Sequence, residues 1–107
     1  MISEIVQEIA ELTSENKKGV DALYSAETTL AQAEADLDKA ESQAFLNGSG
    51  SVAERQAHAK LECAELRFQR DLAKAQVNRV RTKLRVIESA LMAQATMSKL
   101  LQAEMKL

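Results

Sequence analysis

The chain has 107 residues, a formal net charge of −2, no Pro, no Trp and only Tyr24, Phe45 and Phe68 as aromatics. That is enough for one domain but not for a large core anchored on aromatic rings. A single cysteine excludes an internal disulfide framework and suits a reducing compartment. No apolar stretch approaches the ~18 residues of a membrane span. The start Met1-Ile2-Ser3-Glu4 lacks a basic, apolar leader, so a cytoplasmic location is expected. Ala, Glu, Lys, Leu and Arg make up 57 of the 107 residues, a composition of coiled coils and long helices.

The first helix is expected from about Ser3 to Leu46. Ile2, Ile5, Ile9, Leu12, Asn16, Gly19, Leu23, Ala26, Leu30, Ala33, Leu37, Ala40 and Ala44 follow one another at alternating spacings of three and four. That is an uninterrupted heptad seam. Asn16 and Gly19 interrupt its apolar character. Gly19 weakens a helix by ~1 kcal/mol relative to Ala, and Asn16 at a seam position trades stability for register. A bend or fray is expected over Asn16–Gly19, with Met1–Leu12 as a less secure arm.

The turn is expected at 47–50. Asn47-Gly48 reads as a helix end, with Gly48 supplying the left-handed conformation. Ser51-Val52-Ala53-Glu54 reads as a capping box that starts the next helix.

The second helix is expected from 51 to about 105, with less regular apolar tracks. One holds Leu61, Ala64, Phe68, Leu72 and Ala75. Another holds Ala59, Cys63, Leu66, Ala73, Val77, Val80, Leu84, Ile87 and Leu91. A late one holds Ala90, Ala93, Met97, Leu101 and Met105. Changes of track suggest stutters. Folding about Gly48 is expected to set Leu37 near Leu61, Leu30 near Phe68, Ala26 near Leu72, Leu23 near Ala75 and Leu12 near Ile87, with Ser98 onward projecting past Met1 or fraying. The fold class is therefore all-α: an antiparallel two-helix hairpin, one domain over 1–107, self-associating into a four-helix bundle.

Charge is split between the helices. Residues 1–47 carry 3 Lys/Arg and 10 Asp/Glu, whereas 51–107 carry 11 and 6. An acidic helix attracts a basic one and disfavours pairing of like helices. His58 is the only histidine, so neither a histidine metal cluster nor a Ser/His/Asp triad is available within one chain. It is read as a half-exposed structural residue near Ala40 and Glu41. Cys63 is read as a small buried thiol, and Glu34, Asp36, Asp38 and Glu41 as a solvated acidic face rather than a calcium loop. The bases Arg67, Arg70, Lys74, Arg79, Arg81, Lys83 and Arg85 are candidate nucleic-acid contacts. They spread around the helix without the interleaved aromatics of single-strand binders. Met92, Met97 and Met105, with Leu100, Leu101 and Leu107, read either as seam or as an adaptable docking surface.

The run Ala44-Phe45-Leu46, with Gly50-Ser51-Val52-Ala53-Glu54-Arg55-Gln56-Ala57-His58-Ala59, resembles a group of small phage and prophage coiled-coil proteins. Those have two helices joined at a Gly-Ser/Thr-Val-Ala-Glu-Arg turn. The resemblance covers roughly 22–107 and implies an accessory role near recombination and single-strand-binding functions, without defined chemistry. Ala93-Gln94-Ala95-Thr96-Met97 stands where that pattern has a more basic, aromatic stretch, which weighs against DNA contact by this end. The absence of Trp from Asn47-Gly48-Ser49-Gly50 sets aside a likeness to secreted WXG-type hairpins.

The expected function is a non-enzymatic interaction module without cofactor, because two helices form no closed pocket to exclude water. Its expected partner is a second copy, and no membrane is involved. The expected oligomer interface is Leu66, Val77, Val80, Leu84, Met97 and Leu101. The alternative is a sequence-nonspecific nucleic-acid binder that uses the basic residues named above.

Overall fold

The computed structural model describes residues 2–106. Met1 and Leu107, which the expected projection past Met1 involves, lie outside the described residues. The described chain is all-α, with α1 over Ile2–Asn47, α2 over Val52–Glu62 and α3 over Ala64–Lys106. With no proline and many strong helix formers, the sequence favours long helices despite Gly19.

Between Asn47 and Val52 the backbone reverses. Gly48 N–H donates to the Phe45 carbonyl at 3.3 Å, tightening the end of α1. The left-handed conformation belongs to Gly50, with φ +94°, and not to Gly48. Ser51 then caps α2: its Oγ accepts from Glu54 N–H at 3.2 Å and donates to Glu54 Oε1 at 3.2 Å. The Glu54 carboxylate thereby occupies the space beside Gly50, where an added Cβ would lie 2.5 Å from Oε2. Arg55 closes the turn. Its Cγ lies against Gly48, and its guanidinium stands 5.9 Å from the centre of the Phe45 ring.

The expected bend over Asn16–Gly19 does not interrupt α1, which stays helical through these residues. Instead Gly19 is where Leu84 seats, and a Cβ there would come within 2.5 Å of Leu84 Cδ2. The expected single second helix is interrupted at Cys63. Its backbone relaxes to φ −101°, ψ 14°, the sparsely occupied bridge region. Helical bonding resumes on both sides: Cys63 N–H donates to Ala59 O, and Arg67 N–H donates to Cys63 O, each at 3.0 Å. The Lys60 carbonyl beside the break accepts a long bond, 3.4 Å, from Arg67 Nη1.

The chain forms two compact units. One is Ser25–Asn78. Its core gathers Leu37 and Ala44 of α1, Ala59 of α2 and Cys63, with Ala40 and Leu66 packed on it. The other joins the chain up to Tyr24 with Arg79 onward. Here Leu84 and Ile87 are buried, and Ile5, Ile9 and Leu12 are half-buried. Ile2, Ile5 and Val6 line a small cleft with Ser98, Leu101 and Met105. The first turns therefore pack, and Ser98 to Met105 lie alongside them rather than projecting.

Burial also corrects the expected register. Leu61, Phe68 and Leu72 are exposed, so none of them meets Leu37, Leu30 or Ala26 as expected. The buried and half-buried row is Ala59, Cys63, Leu66, Arg70, Ala73, Val77, Val80, Leu84, Ile87, Leu91, Gln94, Ser98 and Leu101. It alternates steps of four and three without a change of track, and only such a row keeps facing a partner helix turn after turn. The 61–75 track takes two steps of four in succession and drifts off the seam.

Candidate functional site

Five of the six residues expected at an oligomer interface turn inward. Val77 is 2% exposed and Leu84 is buried, while Leu66, Val80 and Leu101 are half-buried in the seam of their own unit. Only Met97 is open to solvent. These five belong to the row that the chain itself covers.

The apolar surface left open is the other track. Leu61 is 80% exposed and Phe68 57%, with Leu72 and the small Ala64 and Ala75 also exposed. At helical spacing these side chains lie on the face of α2 and α3 away from the seam.

Beside the turn lies an open groove of about 900 Å³ between the end of α1 and α2. Phe45, Leu46, Ala53, Ala57 and Ala59 give it an apolar lining, and its charged members are of both signs, Asp38 and Glu41 from α1 and Lys60 from α2. Sequence reasoning missed this groove. Its one signal was the density of alanine at 53, 57 and 59, which leaves no side chain to fill the space between two helices.

The charged candidates divide. Arg67 Nη2 pairs with Glu41 Oε1 at 2.7 Å, joining α3 to α1 with both side chains partly covered. The same guanidinium holds the Lys60 carbonyl, so Arg67 braces the break at Cys63 from two directions. Arg70 Nε donates to Asp71 Oδ1 at 2.7 Å, and Arg81 has a partner of its own. Lys74, Arg79, Lys83 and Arg85 are exposed and carry no ion pair among the described residues. They point around the helix and form no single stripe. His58 is exposed and stands 3.5 Å from Glu62 one turn on, not against Ala40 and Glu41. Cys63 is a free, buried thiol.

No protein-family model, curated protein or solved structure matches this chain.

The arrangement itself offers a groove, an apolar row and dispersed charge. Among the described residues no group of three or more His, Cys, Asp and Glu is gathered as a metal site. No described helix is long and apolar enough to cross a membrane.

Proposed function

We propose that this chain is a non-enzymatic interaction module. In this reading α1 folds back on α2 and α3 as an antiparallel coiled-coil hairpin, and hairpins associate into a four-helix bundle. The observation that carries it is the exposed Leu61–Phe68–Leu72 row on a chain whose seam is already filled from within. A row of large apolar side chains open to water is characteristic of a docking surface. The resemblance at the Gly50–Ala59 turn supports a phage-derived accessory role in recombination or replication, carried out by protein–protein contact in the host cytoplasm. Light scattering coupled to size exclusion tests the core of the reading, which expects twice the mass of one chain; a monomer at every concentration would refute self-association.

A second reading is sequence-nonspecific nucleic-acid binding, favoured by the unpaired, exposed Lys74, Arg79, Lys83 and Arg85. Binding that vanishes steeply with salt in a gel shift, and weakens when these four become Gln, is its expected signature.

A further inference from the structure

We infer that the Leu61–Phe68–Leu72 row of one copy packs on the Thr82–Val86–Ser89–Ala93 row of a second copy, with the two α3 helices antiparallel. This rests on the reading of the chain as a self-associating module and names the surfaces that meet. Each row lies within one compact unit, the first in Ser25–Asn78 and the second in the unit that holds Arg79 onward. Every member of both is exposed. With Glu65 between Leu61 and Phe68, the first row advances by four, three and four residues, and so does the second. Each therefore spans about 16 Å at the spacing that a facing helix meets turn after turn. Their sizes are complementary. Leu61, Phe68 and Leu72 are large, whereas Thr82, Ser89 and Ala93 leave space around Val86. Large side chains interdigitate with small ones across a seam, and two copies of the first row alone would set large against large.

Charge selects the same pairing and its direction. The charged residues on and beside the first row are all acidic: Glu62, Glu65 and Asp71. Glu62 stands 3.5 Å from His58, Glu65 accepts from Gln69, and Asp71 accepts from Arg70. The bases of this stretch lie toward the covered side. Arg67 and Arg70 are half-buried, and Lys74 is one turn from both Arg70 and Val77. The charged residues on and beside the second row are all basic: Arg79, Lys83 and Arg85, exposed and without an ion pair among the described residues. The acid of that stretch, Glu88, is one turn from Leu84 and Leu91 on the covered side. Like rows thus repel and unlike rows attract. Parallel α3 helices would set acid on acid and base on base. Antiparallel ones set acid on base, and a two-fold axis uses the match twice because each copy supplies both rows. With the rows aligned, Phe68 comes level with Val86, and Arg85 lies within a turn of both Glu65 and Asp71.

The test is the dimer dissociation constant of the full chain, from light scattering across a dilution series, with circular dichroism to verify that each variant keeps its helix. One variant combines Glu62→Lys, Glu65→Lys and Asp71→Lys, and the other combines Arg79→Glu, Lys83→Glu and Arg85→Glu. Each alone carries one sign of charge on both rows and is expected to weaken its dimer by about 30-fold or more. An equimolar mixture of the two restores acid against base at both contacts and should dimerise nearly as tightly as the wild type. Phe68→Glu and Val86→Glu, one exposed position on each row, should each weaken the dimer by about 30-fold or more, the size of an interface hot spot. Leu46→Glu, an exposed apolar position on α1 outside both rows, should leave it unchanged. A dimer indifferent to Phe68→Glu and Val86→Glu, or helical charge variants whose mixture stays monomeric, overturns this interface while leaving self-association standing. A wild-type chain that stays monomeric at every concentration overturns both.

Discussion

At Gly50 the backbone takes φ +94°, and the Glu54 carboxylate fills the position of a side chain. Gly50→Ala is therefore expected to cost about 1–2 kcal/mol in backbone strain, on top of displacing Glu54. Gly48→Ala meets only tight contacts with Arg55 Cγ and two α1 carbonyls. Thermal unfolding should rank Gly50→Ala as the more damaging of the two. The opposite order would place the strain at Gly48, where the sequence expectation put it. Two glycines two residues apart look alike in sequence, and only the course of the loop decides which turns left-handed. The cap was legible because Ser51 and Glu54 have a local, stereotyped chemistry. Ser51→Ala should cost about 1 kcal/mol, and a shift no larger than that of exposed Ser25→Ala would sink the capping role. Asn16 presents a different case. Its Oδ1 is buried in the α1 seam and has no hydrogen-bond partner among the described residues. An unpaired buried amide oxygen costs about 1–3 kcal/mol, so Asn16→Leu is expected to raise the midpoint of chemical unfolding. Lower stability would mean that the amide makes a satisfied contact in solution.

Among the elements, α1 was readable almost to the residue. Every expected seam position from Ile5 to Ala44 is half-buried or buried, because its 3-4 spacing is unbroken and mostly apolar. The seam of α3 was hidden by polar members. Arg70, Gln94 and Ser98 occupy seam positions, so apolarity alone scattered the row into separate tracks, and the larger Leu61, Phe68 and Leu72 drew attention to the wrong face. The register inherited that error. Gly19 shows what the correct register needs: it looked like a weak point in α1, and it is the seat of Leu84. Gly19→Ala brings about 1 kcal/mol of helix propensity but forces Leu84 to move, and overpacking costs about 1–3 kcal/mol. The substitution should destabilise the wild type and stabilise a Leu84→Ala background. A double-mutant cycle without that change of sign would show that Leu84 moves aside freely. The break at Cys63 had no sequence signature, since Cys63 looks like any small seam residue.

For the whole chain, the two apolar faces now have different duties, and substitution separates them. Val77→Asp places a carboxylate in the seam and should cost about 3 kcal/mol or more, read as loss of helical signal or a much lower melting temperature. Phe68→Glu changes the open face and should leave the helical signal intact. If the two behave alike, the division into an inner and an outer face is wrong. The interruption between α2 and α3 has one more consequence. Its residue is the chain's single cysteine, 3% exposed and inside one compact unit. A thiol reagent reaches that sulfur only when the surrounding segment opens, so the rate of labelling is a built-in clock for the opening of Ser25–Asn78. Loosening Arg67 from Glu41 and from the Lys60 carbonyl should make that clock run faster while the other unit, which has no thiol, stays silent to the reagent.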